Sequence, residues 1–242
     1  MQRLAQLNSA GTLRAQGAGQ RHRGFVCNGR VLPGLYAVLR RMRLGGSQER
    51  LRSPFASGPG SGLRLLRSTT RLGVSAHLAV AERLAGTRAA RARGPFADTC
   101  AQAAALFAQR AGLRLAAAEL VVQHAELPLA TRFDAVLVDA AGRHELLSWK
   151  TGCGPRHEAD LRLHKTQLAM ERRMLERAHG VAVHRATLLY LGVVQQLSDA
   201  RMVPAYKGYA LTRAEGDALC AAVEQRLAAR RARPAARRAR VK

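Results

Sequence analysis

From Leu72 onward, apolar positions recur with a period that changes along the chain and so predicts the order of its elements. Leu78, Ala81, Glu82 and Ala85 fall at helical spacing, and Asp98–Arg110 predicts a second helix with Ala104, Phe107 and Ala108 on one side. The period then drops to two. Ala118–His124 reads as a strand, Ala125–Pro128 as a turn and Leu129–Val138 as a second strand. Asp139–Gly142 is a turn-former, and a third strand covers Arg143–Lys150 before Thr151-Gly152. Connections this short predict an antiparallel meander.

Helical periodicity returns over Glu158–Ala178. Leu161, Leu168 and Leu175 form one stripe, Leu163, Gln167, Met170 and Met174 the adjacent one, and Gly180 is placed to cap the end. Thr187–Val194 is almost continuously apolar, as a strand buried on both faces should be. A last helix is expected over Arg213–Arg231. The fold class is therefore α/β: a mixed central sheet made of the meander plus a crossover helix and strand, flanked by helices.

The flanks have a different character. Residues 1–70 carry twelve arginines with Glu49 as their only acid, and Gly, Ser and Pro cluster at Ser53–Gly62. Three segments are expected: a basic, partly disordered arm over 1–70, a domain over 71–225 and a basic tail over 226–242. The apolar run Val31–Leu39 is expected to dock on that domain. The acid-free first 30 residues describe a mitochondrial transit peptide as well as they describe a basic arm. Nucleus, another DNA-containing compartment and mitochondrion all stay open as locations inside the cell.

Composition narrows the partners. Among 242 residues, 40 Lys+Arg face 16 Asp+Glu, for a formal charge of +24. Only Lys150, Lys165, Lys207 and Lys242 are lysines, and so strong an arginine habit beside abundant Ala, Gly and Leu reads partly as coding bias. Phosphate binding remains the simplest use of the field. No run approaches the ~18 apolar residues of a membrane span, which predicts a soluble protein without a membrane partner. Cys27, Cys100, Cys153 and Cys220 are too dispersed for a zinc finger or a disulfide framework, and suit a reducing compartment.

Chemistry gathers on the meander. Ser148 and Lys150 share a face by strand parity, Asp134 is expected near the middle of the second strand, and Glu119 near the start of the first. Two carboxylates, an ammonium and a hydroxyl on one face suit Mg²⁺ or Mn²⁺, with a lysine beside the ion to orient water and hold a phosphate. Lys150 is also the rarer cation of this chain, at a place that wants a compact ammonium rather than a planar fork.

These residues, in this order, resemble the PD-(D/E)XK nuclease superfamily, and within it the RecB-like and mitochondrial genome-maintenance exonuclease branch. The carriers, over about Leu72 to Val194, are Glu119 before Leu120-Val121-Val122, Asp134 after Thr131-Arg132-Phe133, Lys150 after Ser148-Trp149, and Gln167 after Lys165-Thr166. Gly73 and His77 resemble an upstream Gly-x-x-x-His turn, and Val31-Leu32-Pro33-Gly34-Leu35 a short segment that precedes the domain in relatives. The resemblance implies a metal-dependent DNA nuclease, most simply an exonuclease on ends or single strands. Asp134 would be the main metal ligand with the Trp149 backbone carbonyl, Glu119 would shape the site or hold a second ion, and His77 would complete the shell. Lys150 would position water and Gln167 would brace it. Arg132, Lys165, Arg230, Arg231, Arg237 and Arg238 are candidates for contact with DNA.

The departures from that pattern carry as much weight. Ser148 stands where relatives place an acid, Thr131 replaces a glycine, and Glu171 stands where the branch has tyrosine. Glu145 has the wrong parity to replace the missing acid, whereas Glu171, four residues after Gln167, shares its helix face. Ser148 therefore opens an alternative: a catalytically impaired nuclease fold kept as a DNA-binding or complex-forming module. A basic RNA-associated structural protein would explain the charge but not the ordered motifs.

Each residue also has an ordinary reading. Asp134 suits a solvated strand edge, Lys150 a strand end, His77 a satisfied helix position, Gln167 the covering of a backbone group, and Trp149 core packing on the far face. The arginine pairs suit plain solvated charge. The cysteine spacing cannot hold the iron–sulfur cluster of some relatives, and no Walker string predicts ATP use. Unwinding would fall to another protein, a helicase or a replication or repair factor. The oligomeric state is not legible.

Overall fold

The structure, a computed structural model, describes residues 14–15, 24–27, 30–42, 61–87, 93–152, 154–155, 157–195 and 202–239. Its centre is a five-stranded mixed sheet built from β4 (Arg114–Ala118), β7 (Ala135–Val138), β8 (His144–Thr151), β9 (Val183–Gln195) and β10 (Met202–Leu211). The strand order is β10-β9-β8-β7-β4, with β8 and β9 parallel and every other neighbouring pair antiparallel. The expected α/β architecture is therefore present, with helices on both faces.

One face is covered by α4 (Glu158–His179), joined by α1 (Leu35–Arg41) and α5 (Arg213–Ala239). Val136, Leu146, Leu188 and Tyr190 of the sheet meet Leu163, Leu168, Met170, Met174 and Leu175 of α4 there. Glu158 and Asp160 in its first turn and Arg177 and His179 in its last both suit the helix dipole. Gly180 ends it in the left-handed conformation at φ 62, donating its amide to the Glu176 carbonyl, as its place in the sequence implied.

On the opposite face lie α2 (Ser61–Leu84) and α3 (Pro95–Arg110). Their inward positions are mostly alanine: Ala76 and Ala79 on one helix, Ala97, Ala101, Ala103, Ala104 and Ala108 on the other. Small side chains let both helices approach Leu137, Leu147, Trp149 and Leu189 closely. Pro95 at the start of α3 and Asp98 in its first turn fix where that helix begins. Trp149 is fully buried on this far face, as expected.

The structure differs from the sequence reading in three places. The sequence reading assigned Met202–Leu211 to no element, and Pro204 and Gly208 interrupt any strand pattern there. Those residues are admissible because β10 is the sheet's edge strand, where a missing donor and a weakly packed position are tolerated. The helix before the meander begins at Ser61, so the boundary expected at residue 70 falls within α2. The segment 1–70 also contributes β1 (Arg14–Ala15), β2 (Gly24–Cys27) and β3 (Arg30–Pro33), which form a small antiparallel sheet. The expected docking of Val31–Leu39 is seen in Leu35 and Leu39, both fully buried in the main core. Among the described residues no helix is long and apolar enough to cross a membrane.

Replacing Leu35 by alanine should lower stability by about 2–5 kcal/mol, through lost burial and the cavity left behind. Urea unfolding reads this as a lower midpoint with unchanged slope. An unmoved midpoint would show that residues 30–42 lie outside the cooperative unit.

Candidate metal centre and its lysine

Both arms of the expected hairpin are broken at the same level, and the first arm begins at Arg114, before the expected start at Ala118. Glu119 and Leu120 separate β4 from β5 (Val121–Gln123), while Phe133 and Asp134 separate β6 (Ala130–Arg132) from β7. The Glu119 amide donates to the Asp134 carbonyl at 3.1 Å and the Phe133 amide to the Leu120 carbonyl at 2.8 Å, so the hairpin bends without losing its pairing. Asp134 and Glu119 are thus at a bend, not inside strands as expected. The bend seats Leu120, Val122, Leu129 and Phe133 against the α4-side core. Glu119 takes a left-handed backbone, φ 54, alone among the described non-glycine residues. For an L-residue that costs roughly 1–2 kcal/mol, and such strain tends to collect at functional positions.

Asp134 is buried and its two oxygens have different partners. Oδ2 accepts from the Trp149 amide at 2.8 Å and from the Ser148 hydroxyl at 3.0 Å. Oδ1 faces His77 Nδ1 of α2 at 3.2 Å. Burial alone would raise the pKa of this carboxyl. Attraction to His77 and Lys150, with the Trp149 amide, outweighs burial and holds it below the ordinary value. The expected Gly-x-x-x-His turn is instead one turn within α2, which places Gly73 beside Thr151 and turns His77 toward Asp134. His77 also lies against the Trp149 ring, centroids 5.7 Å apart.

Glu119 completes the group. Its Oε2 pairs with Arg132 Nε at 2.8 Å, and its Oε1 is buried without a hydrogen-bond partner. Burial pushes its pKa up; Arg132 opposes that and the neighbouring Asp134 adds to it. One ligand atom from each of His77, Glu119 and Asp134 lies within 4.8 Å of the other two. Two crowded carboxylates, an imidazole nitrogen and an orphaned carboxylate oxygen are what a divalent cation would satisfy, so the residues fit the Mg²⁺ or Mn²⁺ of the sequence reading. Ser148 fits less well as a ligand, since its hydroxyl is neutral where a carboxylate would bring charge.

Lys150 stands next to this group on β8, and its Nζ donates to Gln167 Oε1 of α4 at 3.2 Å. Gln167 Nε2 donates in turn to Glu171 Oε1 at 2.7 Å, and the same oxygen accepts from Thr131 Oγ1 at 3.0 Å. Glu171 therefore lies behind the lysine and outside the three-residue ligand group. Burial holds its pKa up at about 7 against the pull of Lys150, and its Oε2 has no hydrogen-bond partner. Thr131 donates a hydrogen bond to Glu171, so these two residues act together. His164 of α4 pairs with the Tyr190 hydroxyl at 2.7 Å, and burial together with Lys150 lowers its pKa to about 3.

The remaining candidates do not converge on this point. Arg132 is engaged with Glu119, and Lys165 pairs with Glu215 of α5 at 2.8 Å. Arg230, Arg231, Arg237 and Arg238 fall on the backbone of α5, but their side chains are outside the described set. Glu145, excluded by parity, is buried on the far face, where Thr187 donates to it at 2.5 Å. Sequence reasoning passed over His164 and Tyr190. The spacing Gln167 minus three puts His164 on the lysine's side of α4, and that was the available signal.

No protein-family model matches the chain, and no curated protein matches it. Among solved structures it is similar to that of SSO0001, at 12% identity and TM-score 0.30, covering 93% of this chain and 82% of that one. It is also similar to an alkaline exonuclease (LHK-Exo) from Laribacter hongkongensis, at 14% identity and TM-score 0.28, covering 82% and 97% respectively. Likenesses this distant leave the functional reading to the geometry of the site.

Two stability measurements probe this geometry. Glu119→Gly should be more stable than Glu119→Ala by about 1 kcal/mol, the reverse of the usual order, because only glycine is at ease in the left-handed region. Equal stabilities in chemical denaturation would remove the strain from the account. Glu171 keeps a proton in the folded state up to about 7 that the unfolded chain releases near 4.5. Its stabilising contribution is complete below that lower value and is lost as pH rises through the folded pKa. The Tm of the wild type should therefore fall relative to Glu171→Gln between about pH 4 and 8. A constant difference would contradict the assignment.

Proposed function

We propose that this protein hydrolyses phosphodiester bonds in DNA with a divalent cation, acting as an exonuclease. The observation that carries the reading is the convergence of His77, Glu119 and Asp134 ligand atoms within 4.8 Å beside Lys150. These three side chains would hold the ion, with the Trp149 backbone carbonyl as a further candidate ligand. When bound, the ion supplies Lewis-acid polarisation of the phosphate and of water. Lys150 orients the attacking water and holds a non-bridging phosphate oxygen, and Gln167 fixes the ammonium for that task. Glu171 and Thr131 steady Gln167 from behind. The chain's charge of +24 favours a polyanion throughout.

One observation favours a second reading, a nuclease fold retained as a DNA-binding module. The position expected to be acidic is Ser148, a neutral hydroxyl that donates to Asp134. Losing one anion weakens the hold on Mg²⁺ most, because that ion takes oxygen ligands. An imidazole in the set suits Mn²⁺ better.

Labelled single- and double-stranded DNA, incubated with Mg²⁺, Mn²⁺ or EDTA, separates the two readings. Cleavage is expected to be faster in Mn²⁺ than in Mg²⁺, absent in EDTA, and reduced about 100-fold or more by Lys150→Ala or Asp134→Ala. Ser148→Asp should raise Mg²⁺-dependent cleavage while lowering stability in EDTA, since it sets a carboxylate against Asp134. No cleavage in either metal, with cleavage gained in Ser148→Asp, establishes the second reading.

A further inference from the structure

The α4-side face of the sheet carries a continuous line of rings that the centre above does not use. Tyr36 of α1 stacks on His164 of α4 with centroids 6.2 Å apart and planes inclined by 26°. His164 lies 5.9 Å from Tyr190 of β9, which meets Tyr209 of β10 edge-on at 5.8 Å. Both ends are capped by cations: the Arg40 guanidinium is 5.9 Å from the Tyr36 centroid, and Lys207 Nζ is 5.3 Å from that of Tyr209. The line passes the centre at Tyr190, which is paired in register with Lys150 on one side and Lys207 on the other.

Composition makes this concentration informative. Only 4% of the chain is aromatic and it has four tyrosines, yet three of them join this line. Two of its four lysines, Lys150 and Lys207, lie in the cross-strand row through Tyr190. Core packing explains Tyr190, which is 3% exposed. Tyr36 and Tyr209 pack against the same core yet stay half-buried, as His164 does, and core packing does not explain the exposed Arg40 and Lys207 that stand over their rings.

Partly exposed rings, interleaved with cations and passing a lysine on the neighbouring strand, match the chemistry of an unpaired nucleotide strand. Bases stack on the rings and phosphates meet the cations. A duplex keeps its bases stacked inside and offers nothing to the rings. We infer that Tyr36, His164 and Tyr209, with Arg40 and Lys207, form a stacking track for single-stranded DNA that delivers the strand to Lys150. The choice of ligand rests on the nucleic-acid reading above.

The test is equilibrium binding in EDTA, where nothing is cut, of a fluorescent oligothymidylate, an abasic oligomer of equal length and a duplex. Stacking contributes roughly 1–3 kcal/mol per base, so the oligothymidylate should bind at least about tenfold more tightly than the abasic strand. Tyr36→Leu and Tyr209→Leu, which keep apolar volume, should shrink that ratio, lowering oligothymidylate affinity more than abasic affinity. Should either variant fail to fold, the exposed-site variants Arg40→Gln and Lys207→Gln serve instead. Each should weaken single-strand binding and lower its salt slope by about 1. Equal affinity for base-bearing and abasic strands, equally tight duplex binding, or unchanged affinity in both cation variants would overturn the track. Because the readout is independent of cleavage, base-dependent binding without cleavage removes the hydrolytic reading and keeps the track, and cleavage without base-dependent binding does the reverse.

Discussion

The bend shared by the two arms of the 114–138 hairpin is the constraint on which the centre depends. Two backbone hydrogen bonds, from Glu119 to Asp134 and from Phe133 to Leu120, hold it closed. A straight hairpin would continue the sheet and send neighbouring side chains alternately to its two faces. The bend takes both acids out of that alternation, so that a carboxylate from each arm can approach His77 of α2. It also turns β5 and β6 over the α4-side core, where the burial of Leu120, Val122 and Phe133 opposes the left-handed strain at Glu119. Hydrophobic burial on one side of the bend thus holds two like charges together on the other.

Asp134 links this bend to the lysine. Its Oδ2 is saturated by the Trp149 amide and the Ser148 hydroxyl, which ties the hairpin to β8 one residue before Lys150. Its Oδ1 is left for His77. A carboxylate with both oxygens exposed to one partner could rotate, whereas this one has a fixed plane. Behind it, Lys150 is held by Gln167, and Gln167 by a Glu171 that Thr131 also grips. Lys150, which would touch a phosphate, is thus fixed by residues that would not.

Much of this was legible in the sequence because it follows from period and parity. Ser148 and Lys150 on one strand face, Trp149 on the other, and Gln167 and Glu171 one turn apart all depend on local geometry alone. The break in the strands was not legible, since Ala-Glu-Leu-Val-Val satisfies a strand pattern whether or not its glutamate adopts a positive φ. The strand around Pro204 was hidden for a related reason. Local propensity argues against it, and only its position at the sheet's edge removes the objection. Ion pairs were the least legible of all. Arg132 and Lys165 read as free cations, and only the fold brings Glu119 and Glu215 to them.

Charge balance explains how a serine at 148 is compatible with a stable, buried centre. A third carboxylate there would face Asp134 and Glu119 in a site that already raises the pKa of Glu119 by burial and by the proximity of Asp134. The hydroxyl replaces that repulsion with a hydrogen bond. The remaining two acids are then matched within the protein, Glu119 by Arg132 and Asp134 by its contacts with His77, Ser148 and Trp149. The same balance sets the terms for an arriving ion. It works the other way there, since without an acid at 148 the group offers the proposed ion one anion fewer.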